Sequence, residues 1–400
     1  MTNLGLLGLG GVVYSAYKLW PDAGVYQPCL SAIPKHVSNH PLMKKIWSEI
    51  DPTEYWDSHV HVVGTGDGES GIWFNPNMDS WAHPILKIQK YFYENGACAT
   101  DTTIDFSTMQ RLIDLSASMP AGCKSLLFAF DWFHDENGKP NRKNTIFYIP
   151  NAYAKKLASE NSHHFEWVAS IHPYRADAVD ALTQAKAEGA RAIKWLPPSM
   201  GIDPASPKCD AFYRKAADLN IPIIAHTGHE NAVQGGNQNY GNPLRLRRAL
   251  DQGVRVIMAH CASDGTDDDL DHGNKRINSL DLFARLMDTT DYQSLVFGEI
   301  SALTLVNHAW AIKPILERTD WHSRLINGSD YPLPAIMPLI NTRQLNQMGL
   351  LKSEYLPFLQ ELKQFHPLMY DFAVKRLIEF NGINFDNKVF ATRRFFENAT

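Results

Sequence analysis

Two histidines separated by one residue, His59 and His61, are the side chains of this sequence best suited to metal chemistry. They lie in the apolar run 55–62, which has the length of a β-strand. Successive side chains of a strand alternate between its faces, so both imidazoles and Asp57 are expected on one side, with the histidines about 7 Å apart. Two imidazoles fixed on a strand can hold one divalent ion. The pair indicates a metal site only if the fold brings further ligands to the same place.

Seven further apolar runs of strand length follow, and helical patterns separate the later ones at 176–188, 209–219, 244–251 and 280–287. The eight runs are 55–62, 124–132, 165–172, 190–196, 222–226, 254–260, 295–303 and 324–330. Apolar strands that alternate with helices are typical of parallel sheets covered on both faces. Eight such units predict an α/β fold, a (β/α)8 TIM barrel.

The spacing is regular except after the first strand. Residues 63–123 are much longer than a usual strand-to-helix connection, and they begin with the glycine-rich stretch 64–71. This position lies on the active-site rim of a barrel, which favours a lid or substrate-binding insertion. We expect one barrel domain over 21–400 that carries the insertion 63–123, preceded by an apolar N-terminal segment over 1–20.

Every predicted strand ends on or near an ionisable residue. In chain order these are His59 and His61, Asp131, His172, Lys194, His226, His260, Glu299 and Asp330. Each has an ordinary alternative, such as a core histidine, a turn-capping aspartate or a lysine whose amine reaches solvent. Apolar strands do not need a charge at each end, and burying unpaired charges is costly. The series therefore predicts a polar centre at the carboxyl ends of the strands.

The order of these residues resembles the amidohydrolase superfamily: His-x-His on strand one, His226 on strand five, His260 on strand six and Asp330 on strand eight. The closer resemblance is to its amidohydrolase-related branch of metal-dependent barrel hydrolases, which also contains lactonases and decarboxylases similar to aminocarboxymuconate-semialdehyde decarboxylase. It covers about 55–400 and includes the turn Asn-Gly-Ser-Asp-Tyr-Pro at 327–332.

The resemblance implies roles for individual residues. His59, His61, His226 and Asp330 would hold one divalent ion, zinc in the first place, although nitrogen and oxygen ligands also suit manganese or iron. The ion would lower the pKa of a bound water toward about 7. Asp330 would act as general base and then as general acid, and His260 would polarise the substrate oxygen on which charge develops.

Lys194 leaves two arrangements open. In superfamily members with two metals, the lysine of strand four is carboxylated and bridges the ions, and Lys194 matches that position. His226 and His260 would then serve the second ion. In the mononuclear branch this modification is generally absent, so we favour one ion with Lys194 as a nearby cation. Glu299 and His172 are candidates for supporting the ligands or contacting the substrate.

Composition limits the classes of partner. The chain has 400 residues, 44% of them hydrophobic, and a net charge of −5, which argues against nucleic acid as a partner because phosphate binding needs a basic face. Five scattered cysteines without a Cys-x-x-Cys motif favour a reducing compartment over a disulfide framework, and hence a cytoplasmic location. Residues 1–17 carry no charged side chain, so the N-terminal segment is a membrane-associated stretch, a signal or a packed extension.

Three functions follow from this pattern. The first is hydrolysis of an amide, ester or lactone bond in a small-molecule substrate by a metal-activated water. The second is non-hydrolytic decarboxylation of an unsaturated or aromatic acid on the same metal. The third is a metal-binding scaffold without catalysis. A decarboxylase should present an arginine or lysine to the departing carboxylate, so the basicity of the pocket distinguishes the first two.

Overall fold

The structure, a computed structural model, describes residues 24–397 apart from 101, 102 and 234. The predicted apolar segment 1–20 lies outside the described residues. Among the helices between residues 24 and 397, none combines the length and the apolar character that crossing a bilayer requires.

The described residues form twelve strands, eight of which fall within the eight apolar runs of the sequence. The strands are β1 Trp56–His61, β2 Trp73–Phe74, β3 Lys124–Phe128, β4 Phe147–Tyr148, β5 Phe165–Val168, β6 Ile193–Trp195, β7 Ile223–His226, β8 Val256–Ala259, β9 Thr266–Asp269, β10 Lys275–Asn278, β11 Val296–Glu299 and β12 Leu325–Ile326. The four that lie outside those runs form two antiparallel pairs, β2 with β4 and β9 with β10.

The eight parallel strands form a closed ring in chain order. Strands β1, β3 and β5 make one sheet, and β6, β7, β8, β11 and β12 make another. The parallel bridge between Ala169 and Ile193 joins β5 to β6, and the bridge between Val60 and Tyr331 joins β1 to the end of β12. The predicted (β/α)8 TIM barrel is therefore confirmed.

Fourteen α-helices surround the strands in the described part of the chain. They are α1 Lys35–Ser38, α2 Pro41–Ile46, α3 Pro84–Gly96, α4 Ile104–Ala117, α5 Asn151–Glu160, α6 Ala178–Ala187, α7 Pro197–Met200, α8 Asp210–Asp218, α9 Arg247–Leu250, α10 Ser279–Asp288, α11 Ile312–Leu316, α12 Thr342–Gln347, α13 Leu356–Phe365 and α14 Pro367–Leu377. The four predicted helical patterns correspond to α6, α8, α9 and α10. Helix α9 is short because its first turn, Pro243–Leu246, is a 3-10 helix capped by Asn242.

The barrel strands are apolar because both of their faces are buried. Side chains that point into the barrel, such as Phe128, Val168 and Ile224, form a small apolar cluster closed at one end by Phe395 and Phe396. The opposite faces of the strands pack against the helices in a much larger cluster. This double burial explains why the strands appear in the sequence as continuous apolar runs.

Strand β1 contains an irregularity that the sequence does not reveal. Its pairing with β3 shifts by one residue between Asp57 and Val60, which is a β-bulge. The bulge changes the alternation of faces, so Asp57 does not line the cavity that contains His59 and His61. The expectation that Asp57 shares the face of the two histidines is therefore wrong.

The segment between β1 and β3 holds β2, α3 and α4. Helix α3 contributes Gln89, Lys90, Phe92, Tyr93 and Glu94 to the wall of the large cavity at the carboxyl ends of the strands. The long connection expected over 63–123 thus forms part of the rim of the barrel, where the sequence predicted a lid or binding insertion.

Two cysteines that the sequence treats as unpaired are bonded to each other. Cys29 and Cys98 form a disulfide across 69 residues, while Cys123, Cys209 and Cys261 are buried and free. The expectation of a fully reduced set is wrong for this pair. The two cysteines meet because the segment before α1 packs against the end of α3, and no spacing in the sequence indicates that contact. The cytoplasmic location stays a prediction.

We expect Cys98→Ser to lower the free energy of unfolding, because the disulfide limits the freedom of the unfolded chain. For a closed loop of this length the loss is at most about 4 kcal/mol. Chemical denaturation of the wild type and of Cys98→Ser measures it. A reducing agent should destabilise the wild type and leave Cys98→Ser unchanged; equal stability of the two proteins would contradict the expectation.

Candidate metal centre

Three side chains meet where β1 and β12 end. His59 and His61 come from the last residues of β1, and Asp330 comes from the loop after β12. The Nε2 atoms of both rings lie 3.2 Å from Asp330 Oδ1. One ligand atom from each residue lies within 4.8 Å of the others, which is the spacing of a candidate metal site.

The loop that carries Asp330 is held against β1 by backbone contacts. Asp330 adopts a left-handed conformation with φ 63°, which is uncommon for a residue other than glycine. Its backbone N–H donates to the carbonyl oxygen of His59 at 2.9 Å, and the N–H of Ser329 donates to Asp57 Oδ1 at 2.7 Å. Asp57 therefore acts on the site indirectly, by fixing the loop that positions Asp330.

Position 328, in the turn that leads to Asp330, requires a glycine because the backbone there passes very close to β1. A Cβ at Gly328 would lie 2.7 Å from both the Cβ of His59 and the Oγ of Ser58. The carbonyl oxygen of Gly328 accepts a hydrogen bond from the buried Lys375, whose amine also contacts Asp371 at 2.6 Å. A buried ion pair thus supports the loop from the side opposite to the cavity.

Glu299, at the end of β11, lies beneath His59. Its Oε2 is 2.5 Å from His59 Nδ1 and accepts from Ser301 Oγ at 2.8 Å, while Oε1 accepts from Ser58 Oγ. Burial would raise the pKa of Glu299, but the adjacent His59 holds it below its ordinary value. A carboxylate accepts hydrogen bonds, so His59 carries its proton on Nδ1 and directs Nε2 toward Asp330.

The donors fit a divalent cation. In neutral His59, Nε2 and Asp330 Oδ1 are both acceptors 3.2 Å apart, so a cation in contact with both atoms would stabilise the arrangement. Burial would raise the pKa of Asp330, but the neighbouring histidines hold it well below its ordinary value, so it stays a carboxylate. Two further ring atoms, His61 Nδ1 and His226 Nε2, are buried without a hydrogen-bond partner. This mixture of nitrogen and carboxylate donors suits zinc, manganese or iron.

His226, at the end of β7, lines the same cavity but is not one of the three closest donors. Its Nδ1 lies 3.1 Å from Glu230 Oε2, which leaves Nε2 without a partner. Burial, assisted by the positive charge of Lys194, lowers the pKa of His226 to about 3. The ring is therefore neutral, as a metal-binding imidazole must be.

His260 follows β8 and faces the second oxygen of the aspartate. Its Nε2 lies 3.8 Å from Asp330 Oδ2, and its Nδ1 lies 3.1 Å from the carbonyl oxygen of Ser301. A carbonyl only accepts, so the proton is on Nδ1 and Nε2 is an acceptor in the neutral ring. Burial holds the pKa of His260 well below its ordinary value.

Lys194, in the middle of β6, is buried beside these residues. Its Nζ lies 3.1 Å from His59 Nε2 and 4.9 Å from the centre of the Phe128 ring. Burial lowers the pKa of Lys194, although the carboxylates of Glu299, Asp330 and Glu230 act in the opposite direction. The amine is thus close enough to influence any ion that His59 binds.

Two of the strand-end residues do not reach this centre. Asp131 Oδ2 accepts from the backbone N–H of His172 at 2.8 Å and from Arg175 Nη1 at 3.0 Å. The ring of His172 contacts that of His134 in a tilted arrangement, with ring centres 4.5 Å apart. Neither Asp131 nor His172 lines the cavity. The expectation that every strand end contributes to one polar centre is therefore wrong for β3 and β5.

The candidate centre opens into a cavity of about 450 Å³ with mostly apolar walls. Residues distant in sequence supply these walls, including Phe74, Phe92, Ile149, Leu305 and Ile336.

Three further polar residues lie near the centre without a signal in the pattern of strand ends. Ser301 contacts both Glu299 and His260, Glu230 contacts His226, and His308 lines the cavity and bonds Ser263 Oγ at 2.6 Å. None of the three ends an apolar run, so the pattern of strand ends does not indicate them.

Replacing Glu299 with glutamine should weaken divalent-ion binding about 10- to 100-fold, because a neutral amide is a weaker acceptor for the Nδ1 proton of His59 and no longer supplies negative charge to the ring. Competition with a chelator of known affinity measures the change. Glu354→Gln alters an exposed glutamate elsewhere and serves as the matched control. Unchanged affinity in Glu299→Gln would show that His59 does not bind the ion through Nε2.

Known proteins that are similar to this chain indicate its family. The model of a family described as amidohydrolase matches residues 57–335, whereas no curated protein matches the chain. Similar solved structures include an uncharacterized TIM-barrel protein from Bordetella bronchiseptica, with 16% identity, 76% of this chain and 94% of that chain covered, and a TM-score of 0.46.

Two further solved structures are similar at the level of the barrel. One is a provisional 2-pyrone-4,6-dicarboxylic acid hydrolase from Pseudomonas putida, with 14% identity, coverage of 80% and 98%, and a TM-score of 0.43. The other is 5-carboxyvanillate decarboxylase from Sphingomonas paucimobilis, with 9% identity, coverage of 71% and 90%, and a TM-score of 0.45. Because the family model spans more than half of the sequence and includes the strands that carry the centre, the chain belongs to the amidohydrolase family.

Proposed function

We propose that this enzyme hydrolyses an amide, ester or lactone bond in an uncharged, largely apolar small molecule, with one divalent ion bound at the centre. The observation that carries the proposal is the position of Asp330. One of its oxygens faces His59 and His61, and the other faces His260. A carboxylate placed in this way can bind a divalent ion through one oxygen and accept a proton on the other.

Four residues are proposed as ligands: His59, His61, His226 and Asp330. The first two and Asp330 already converge, and the unpartnered Nε2 of His226 lies in the same cavity. We favour zinc, because imidazole and carboxylate ligands suit it well. A divalent ion held here supplies Lewis acidity that makes a water molecule acidic near neutral pH.

Asp330 and His260 then transfer the proton. Asp330 takes the proton of the attacking water on Oδ2, and the resulting hydroxide adds to the substrate carbonyl carbon. His260 Nε2 lies 3.8 Å from that oxygen and is unprotonated, so it can accept the proton in turn. The imidazolium then stabilises the developing oxyanion and returns the proton to the departing nitrogen or oxygen as the bond breaks.

The charge of the cavity favours hydrolysis over decarboxylation. None of the described residues that line the cavity is an arginine, and its lysines are Lys90 and Lys194. Lys90 is already paired with Asp79 at 3.0 Å and with Glu94 at 2.6 Å. The carboxylates of Glu94, Glu230, Asp264 and Asp330 also line the cavity. Apart from Lys194 and the proposed ion, both at the base of the cavity, an anionic substrate would meet these carboxylates without an arginine to pair with, so a neutral substrate is the better candidate.

The number of ions depends on Lys194. If its amine were carboxylated, it would add a bridging ligand, and His226 and His260 would serve a second ion. We favour one ion, because the described histidine and carboxylate ligand atoms form one compact group of three. A binding scaffold without catalysis is the least favoured function, because it gives the placement of His260 beside Asp330 no role.

Asp330→Asn should lower kcat for a neutral ester by about 100- to 10,000-fold, because an amide cannot accept the water's proton. Steady-state kinetics with phenyl acetate as probe, on protein whose metal content has been measured, tests this. Asp288→Asn, in the exposed ion pair with Arg318, is the matched control.

A second comparison tests the reaction type. An ester that carries a carboxylate should be hydrolysed with a kcat/KM at least about tenfold below that of its neutral isostere, given the cost of burying an unpaired charge. Release of carbon dioxide from an aromatic acid without any esterase activity would contradict the proposal and favour decarboxylation.

A further inference from the structure

The outer side of helix α3 exposes an unusual number of large apolar side chains. Ile85, Ile88 and Tyr91 follow one another at intervals of three residues, which places them along one side of the helix. Ile85 is 63% exposed and Tyr91 is 55% exposed. Trp81, which precedes the helix, is 74% exposed and lies beneath the Lys87 amine at 5.1 Å, so it borders the same side.

The first described residues of the chain extend this surface. Gln27 donates its backbone N–H to Asn95 Oδ1 at 2.9 Å, and Asn95 lies one helical turn beyond Tyr91. Val25 and Tyr26, immediately before Gln27, are both exposed. We call the set Val25, Tyr26, Trp81, Ile85, Ile88 and Tyr91 the α3 apolar face. Scattered single apolar residues are normal on a surface, but a set held together in this way indicates an interaction site.

The same helix connects this face to the candidate centre. Tyr93 lies on the inner side of α3, and Phe92 lies one helical turn beyond Ile88; both line the cavity that contains His59 and Asp330. An apolar surface therefore continues from outside the protein, across one helix, to the apolar wall of the site. Apolar molecules that collect on the α3 apolar face would lie next to the cavity.

We infer that the α3 apolar face docks onto the surface of a lipid bilayer and that the substrate is a lipophilic molecule taken from it. The part about the substrate rests on the proposed hydrolysis, whereas the docking does not. Amphipathic helices bind at a bilayer surface by inserting their apolar side, and tyrosine and tryptophan favour the interfacial region. Gly24, the first residue that the structure describes, directly precedes Val25 of this face, and the sequence of residues 1–17 carries no charged side chain.

The local charges indicate which lipid surface fits. The lysines next to the face are already engaged: Lys87 donates to the carbonyl oxygen of Asp79 at 2.7 Å, and Lys90 pairs with Asp79 and Glu94. Two lysines and two carboxylates, Asp79 and Glu94, therefore border the face, so these four charges of the described residues sum to zero. A zwitterionic surface, bound through apolar contact, is the better match.

Co-sedimentation of the full-length protein with phosphatidylcholine vesicles tests the docking. The wild type should partition onto the vesicles, and the triple variant Ile85→Ser, Ile88→Ser, Tyr91→Ser should bind at least about tenfold more weakly because it lacks three inserted side chains. Leu270→Ser removes an exposed apolar side chain from the loop between β9 and β10 and should bind like the wild type.

Three outcomes would overturn the docking. In the first outcome, the wild type shows no affinity for vesicles. In the second, the triple variant binds vesicles as well as the wild type does, which would assign the affinity to another part of the chain. In the third outcome, the triple variant would convert a dimer into a monomer without any vesicle binding, which would make the face a contact between copies.

Kinetics separate the docking from the proposed function. Hydrolysis of water-soluble phenyl acetate should be the same in the triple variant and the wild type, because none of the three residues lines the cavity. Hydrolysis of a long-chain ester presented in vesicles should fall in the triple variant. Vesicle binding without any hydrolysis would contradict the proposed function and leave the docking intact, and equal rates on the vesicle ester would refute uptake from the bilayer.

Discussion

The contact between Asp330 and the two histidines of β1 is the constraint on which the rest of this structure depends. It brings a carboxylate and two imidazole nitrogens to within 3.2 Å at the closing point of the barrel, an arrangement that is costly without a cation. Glu299 fixes the orientation of His59 from below, and the bond from Ser329 to Asp57 fixes the loop of Asp330 from the side. The barrel positions these groups, and the segment after β1 encloses them in an apolar cavity.

Much of this arrangement can be predicted from the sequence because it follows from strand periodicity. Continuous apolar runs mark strands buried on both faces, and parallel strands bring their carboxyl ends to one edge. Residues at the ends of runs 55–62, 222–226, 254–260 and 324–330 do line one cavity. Lys194 also reaches it, since it points into the barrel from β6.

The remainder depends on contacts that periodicity does not encode. A bulge of one residue turns Asp57 away from the cavity, and Arg175 binds Asp131 outside it. The disulfide joins Cys29 to Cys98 across a packing contact between segments far apart in sequence. The part of the cavity wall that α3 forms could not be predicted either, because the sequence gives the length of an insertion but not the surface that it covers.

Bound metal per chain, measured by elemental analysis of the wild type and of His59→Ala, tests the central claim most directly. The account predicts about one divalent ion per chain in the wild type and its loss in the variant. About two ions would contradict the mononuclear site and make a carboxylated Lys194 the bridge between them. A wild-type protein that holds no ion and takes up none on addition of zinc or manganese would contradict the account as a whole.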